Sequence, residues 1–127
     1  MNVRSEMIGD VAALRVDGEI DMSSTQQIET LVGEVVTNQE HALILDLSGV
    51  TYLDSAGVRM LYQLDARLAV HQQRLIVIVP TGATILRTLQ AAGVIGSLIL
   101  ASTDDAAMLI AQAPPPEAGR GPNGTTG

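Results

Sequence analysis

Asp54-Ser55-Ala56-Gly57 separates two apolar stretches, and a serine with such small neighbours has two chemical uses. Its hydroxyl can satisfy free backbone N–H groups at or next to the N-cap of a helix, a role whose loss costs about 1 kcal/mol. It can also be presented to a partner that modifies it. Ala56 and Gly57 strip side-chain bulk from the turn, which leaves the hydroxyl approachable and which capping does not require. A phosphate placed at a helix N-terminus meets unpaired N–H groups and the positive end of the helix dipole, so the fold tolerates it. The same phosphate adds a charge of about −1.5 to −2. That charge would stand beside Asp54, and near Asp21 if the turns cluster at one sheet edge, and would repel a docked partner. Such a turn switches binding and leaves folding alone.

Other chemistry finds little support. The chain has no Cys, which removes thiolate nucleophiles, disulfides and Cys-based zinc sites together. All seven basic residues are arginines, so the lysine that a phosphate-cradling P-loop needs is missing, as is the required glycine spacing. A phospho-accepting receiver domain would use Asp54 as acceptor, but it too relies on a lysine. Asp17, Glu19 and Asp21 are oxygen donors suited to magnesium. Alternation along an extended segment sends neighbours to opposite faces, which favours a solvated turn. His41 and His71 fall near expected helix ends, where an imidazolium meets the negative end of a dipole. The expectation is therefore no catalytic residue, no metal and no cofactor: the chain is not an enzyme.

Composition sets the frame. The chain has 127 residues, 46% hydrophobic, and suits one domain with a sizeable core. With no Phe or Trp and only Tyr52 and Tyr62 aromatic, that core must be built from Val, Ile, Leu and Ala. A net charge of −7 without clustered arginines gives no footprint for nucleic acid or an anionic membrane surface, and points to basic or neutral protein partners. Arg4, Glu6, Asp10, Arg15, Asp17 and Glu19 speak against a signal peptide in the first twenty residues, and no apolar run reaches membrane-spanning length. A cytoplasmic protein without direct membrane insertion is expected.

The elements that must position the serine alternate along the chain. Val3 to Ile8 and Val11 to Val16, the latter closed by Asp17-Gly18, read as an N-terminal β-hairpin. Ser23, Ser24 and Thr25 offer N-caps to a helix carrying Ile28, Leu31, Val32, Val35 and Val36. Ala42 to Leu47, ended by Ser48-Gly49, and Leu75 to Val79 suit strands covered on both faces, with a helix along Leu61, Leu64 and Leu68 between them. Thr81 opens a third helix through Ile85, Leu86 and Leu89, which Gly93 stops. Leu98 to Leu100 is a short strand, and Ser102 with Asp105 caps a last helix through Met108, Leu109 and Ile110. This order implies an α/β domain with a mixed, mostly parallel sheet and right-handed crossovers over residues 1–112. From 113 to 127 the Pro/Gly-rich composition cannot offset its ordering entropy and reads as a disordered tail.

The segment L-D-L-S-G-V-T-Y-L-D-S-A-G-V-R-M-L resembles the signature of STAS domains, in particular of bacterial anti-sigma factor antagonists. Asp17 to Asp21 (D-G-E-I-D) and Ala83 to Gly93 (A-T-I-L-R-T-L-Q-A-A-G) resemble the same family in order and spacing, and the similarity runs from about Val3 to Ala111. The resemblance implies a right-handed β-α superhelix that presents the turn at an exposed helix start. It implies an anti-sigma factor partner of the histidine-kinase-like ATPase fold, which phosphorylates the residue matching Ser55 and so ends the interaction that releases a sigma factor. It further implies a PP2C-type phosphatase that reverses the step. Partner contacts are then expected at Asp21, Ser23, Asp54, Ser55, Ala56, Gly57, Val58, Arg59 and Tyr62. Many antagonists read D-S-S-G; Ala56 removes the second hydroxyl and keeps the acceptor. The alternative roles in the family are an accessory subunit of a lipid-transport ATPase and a stressosome-type scaffold.

Overall fold

The computed structural model describes residues 1–37, 39–93 and 96–113. Five strands, β1 (Asn2–Ile8), β2 (Val11–Ile20), β3 (Ala42–Leu53), β4 (Arg74–Ile78) and β5 (Ile99–Ala101), pair in chain order in one sheet. β1 runs antiparallel to β2, joined through Gly9 in the left-handed region, and the remaining pairs are parallel. Helices α1 (Thr25–Val35), α2 (Ser55–Ala69) and α3 (Thr84–Ala91) fill the three crossovers, and α4 (Asp104–Gln112) follows β5. This is the α/β class and mostly parallel sheet that the sequence implies, with each strand laid beside its predecessor as crossovers of one hand produce.

The apolar runs of β3 and β4 are continuous because both sheet faces are covered. Leu43, Leu45 and Leu47 of β3 and Leu75, Val77 and Val79 pack with residues of α1, α2 and α3. The alternate residues Ala42, Ile44, Ile76 and Ile78 pack with Ala107 of α4. Three helices therefore cover one face and α4 the other.

Asp17-Gly18 and Ser48-Gly49, expected to end strands, lie inside β2 and β3. β3 carries one residue more than β2 between the pairs Arg15/Asp46 and Asp17/Gly49, and again between Gly18/Val50 and Glu19/Tyr52. Glycine makes these bulges feasible. Gly18 has φ +103°, and a Cβ on Gly49 would fall on the Asp17 carboxylate. Both strands thereby run on to Ile20 and Leu53, which pair, and deliver the next residues to one edge of the sheet.

The caps differ from expectation in detail. Ser24 occupies the N-cap of α1, but its hydroxyl accepts from the Asp21 N–H at 2.9 Å and donates to the Asp21 carbonyl at 3.1 Å, leaving α1 without a side-chain cap. Thr81 does not cap α3: the helix starts at Thr84 after a turn closed by the Ala83 N–H donating to the Pro80 carbonyl. Thr103, rather than Ser102, caps α4 by accepting from the Ala106 N–H at 3.1 Å. His41 stands immediately before β3 and well past the end of α1, so it caps no helix there. The tail from Pro114 onward lies outside the described residues.

On the α4 face, Arg15 of β2 joins three carboxylates. It donates to the buried Asp46 of β3, to Glu6 of β1 at 3.0 Å and to Asp104 of α4 at 2.8 Å. These hydrogen bonds, that to Asp104 first, raise the guanidinium above its ordinary pKa and lower Asp104 below the usual aspartate value. A depressed carboxylate stabilises the fold at pH above its unfolded pKa and loses that effect as pH falls toward its folded one. Desolvation raises Asp65, which works in the opposite sense at higher pH. The unfolding free energy is thus expected to decline once pH drops below about 4, and urea midpoints should show a shallower decline in Arg15→Met.

Candidate docking and modification site

The extended ends of β2 and β3 bring the two acidic turns together. The Asp54 N–H donates to the Ile20 carbonyl at 3.2 Å, so Asp54-Ser55 stands beside Asp21, which follows Ile20 directly. The Asp21 carboxylate accepts from the Ser23 hydroxyl at 2.6 Å and from the Ser23 N–H at 2.9 Å. Those bonds, the hydroxyl's first, hold its pKa below the ordinary aspartate value, so it is ionised at neutral pH. Asp21, Ser23, Asp54 and Ser55 therefore form one cluster, as the sequence implies if the turns share a sheet edge.

Within it the expected roles are redistributed. The helix cap is Asp54: its carboxylate accepts from the Gly57 N–H at 3.0 Å while its backbone is extended. Ser55 is the first helical residue and is exposed. Cap and hydroxyl are two residues, not one. Asp54→Ala is expected to lower stability by about 1 kcal/mol, whereas Ser55→Ala should stay within about 0.5 kcal/mol of wild type. Equal losses in urea midpoint would show that the serine shares the capping role.

Gly57 and Val58 are buried, which corrects their expected place on the contact surface. A Cβ on Gly57 would overlap Leu53 Cδ1 and come within 3.1 Å of Ile20 Cγ2, so this glycine lets α2 pack onto the strand ends rather than opening access to the serine. Ala56 is half-buried. Ser55, Arg59 and Tyr62, spaced by four and three residues, are all exposed and share one face of α2. Met22 and Tyr52 are absent from the contact residues expected from sequence. Met22 is 78% exposed beside Asp21, and Tyr52 is 50% exposed two positions before Asp54. Met22 lies in a turn and Tyr52 in the bulged end of β3, where periodicity gives no signal; only their exposure reveals them.

The arrangement is a surface, not a cavity. A cleft of about 850 Å³ lies at the other end of the parallel strands, lined by Met7, His41, Arg74 and Ala113 among others and by none of the site residues. Arg74 there donates to the Ile110 and Ala113 carbonyls at the end of α4. Among the described residues no group of three His, Asp or Glu is placed to hold a metal ion, and no helix is long and apolar enough to cross a membrane. Asp17 turns onto Gly49 and Asp21 onto Ser23, so the acidic residues of this edge do not converge.

This fold is that of a known class, and the chain belongs to the STAS domain family, whose sequence profile matches residues 2–107. Over 51 residues it is 43% identical to the anti-sigma-F factor antagonist RsfB of Mycobacterium tuberculosis, a match spanning 40% of this chain and 42% of that protein, less than half the relative's length. Its fold is similar to that of an anti-sigma factor antagonist from Mycobacterium paratuberculosis, with TM-score 0.77 and 28% identity over 88% of this chain and 94% of the other. The Bacillus cell fate determinant SpoIIAA in its phosphorylated form shares the fold at TM-score 0.62 and 20% identity, over 86% of this chain and 99% of that one.

Proposed function

We propose that the chain is an anti-sigma factor antagonist, a non-enzymatic cytoplasmic regulator. It binds an anti-sigma factor of the histidine-kinase-like ATPase fold and so releases a sigma factor. The partner phosphorylates Ser55, which ends the complex, and a PP2C-type phosphatase restores it. The observation that carries this reading is the separation of cap and hydroxyl: Asp54 holds the start of α2, and Ser55 is left exposed at its first residue. A serine needed for capping would be withdrawn from chemistry; this one is not.

Electrostatics supply the switch. An added phosphate finds N–H groups and the positive dipole end at the α2 N-terminus, so the fold accommodates it. The existence of a phosphorylated protein of the same fold is in keeping with that tolerance. Toward a partner, however, the phosphate joins the carboxylates of Asp54 and the ionised Asp21 in one cluster. A surface complementary to the neutral hydroxyl would then face roughly two further negative charges without compensation. The names of the mycobacterial relatives support the same role.

Incubation with the cognate kinase and ATP tests the reading by intact mass. Wild type is expected to gain one phosphate and Ser55→Ala none. No gain in wild type, or an equal gain in the alanine variant, would rule out Ser55 as the acceptor.

A further inference from the structure

Large apolar side chains left exposed forgo the burial that drives folding, and where several border one polar site they mark an interaction surface. Three of them, Met22, Tyr52 and Tyr62, belong to the segments that meet at Ser55. Met22 directly follows Asp21 on the β2 side of the serine. Tyr52 pairs with Glu19 near the end of β3, on the sheet face opposite Leu53 and α2, so it borders the strand ends from the other side. Tyr62, 39% exposed, stands two turns along α2.

We infer that Met22 and Tyr52 are the apolar anchors of this docking surface, and that the protein partner offers an apolar pocket rimmed by basic side chains. The inference rests on the proposed function and adds to it the residues that hold the partner. Met22 is presented by a turn already fixed on both sides. The Asp21 N–H is bonded to the Ser24 hydroxyl, and the Asp21 carboxylate is bonded to the Ser23 N–H and hydroxyl. Docking therefore orders little backbone, and the flexible thioether adapts to its pocket. Tyr52 adds a rigid ring with a polar end, the kind of group that dominates binding energies at interfaces.

The surrounding charges fix the partner's sign. Glu19 is exposed, Asp21 and Asp54 are partly so, and the chain carries −7 overall. Among the site residues only Arg59 is cationic. Charges at such a rim act mainly on the association rate and its salt dependence, whereas desolvated anchors act on dissociation. The two contributions are separable by experiment.

Binding kinetics of the full chain with the cognate anti-sigma factor test the inference, measured at two salt concentrations. Met22→Ser and Tyr52→Ser are each expected to weaken binding at least tenfold through faster dissociation, with the association rate and its salt dependence nearly unchanged. Glu19→Gln should instead slow association and flatten its salt dependence. Circular dichroism and urea midpoints equal to wild type are expected for all three, since the substituted side chains are exposed. If Met22→Ser and Tyr52→Ser bind like wild type while Ser55→Asp does not, the anchors are wrong and the functional reading stands. If Ser55→Asp also binds like wild type, the functional reading itself has failed. Weakened binding that tracks a lowered urea midpoint would likewise overturn the anchor role.

Discussion

Arg15→Ala is expected to lower the unfolding free energy by about 3 kcal/mol, the scale of a buried ion pair broken from one side. The reason lies in the difference among the three carboxylates that Arg15 meets. The side chains of Arg15 and Asp46 are only 17% and 6% exposed, and both come from central strands. Without the guanidinium, Asp46 keeps one donor, the Ser48 N–H at 2.9 Å, and an otherwise uncompensated charge in a site closed to water. Glu6 and Asp104 are 41% and 49% exposed, so their bonds to Arg15 contribute at most about 1 kcal/mol each. A shift of the urea midpoint with unchanged slope reports the loss. Joint replacement, Arg15→Met with Asp46→Leu, should recover most of it, because an apolar pair leaves no charge behind. A loss below about 1 kcal/mol in Arg15→Ala would mean that water reaches Asp46 and that the pair does not hold β2 to β3.

Ser55→Asp is expected to do the reverse: to leave stability within about 0.5 kcal/mol of wild type and to weaken partner binding roughly 100-fold, equivalent to about 2.7 kcal/mol. A carboxylate in the first turn of a helix is favourable to the dipole, and the cap at Asp54 is untouched by the change. Toward the partner the same carboxylate adds a third negative group to Asp21 and Asp54. Ser55→Ala is expected to keep both fold and binding, which separates the effect of charge from loss of the hydroxyl. If Ser55→Asp unfolded in the absence of the partner, the hydroxyl would be structural after all.

The elements of this chain were legible where both faces of a strand or one stripe of a helix are apolar. Ala42 to Leu47 and the Leu61, Leu64 and Leu68 stripe are cases in which periodicity and burial coincide. The ends of β2 and β3 were not, because Asp17-Gly18 and Ser48-Gly49 carry turn chemistry that the bulged ladder uses within the sheet. That misreading hid the reason the site exists: the extra length of these strands sets Asp21 beside Asp54. The motif itself was readable as residue types, but the assignment of roles within it was not. A serine beside an aspartate at a helix start can be cap or neighbour, and only the 3.0 Å bond from the Gly57 N–H to the Asp54 carboxylate decides. Gly57 was likewise read as access and proves to be packing, since sequence does not show that Leu53 and Ile20 stand where its Cβ would be.

On the proposed function, modification of Ser55 switches binding without disturbing the fold. The most direct measurement is the affinity of the anti-sigma factor for the chain phosphorylated stoichiometrically at Ser55, compared with the unmodified chain. The dissociation constant is expected to rise by roughly 100-fold or more on phosphorylation. An affinity within a factor of about two of the unmodified chain, less than 0.5 kcal/mol of difference, would contradict it.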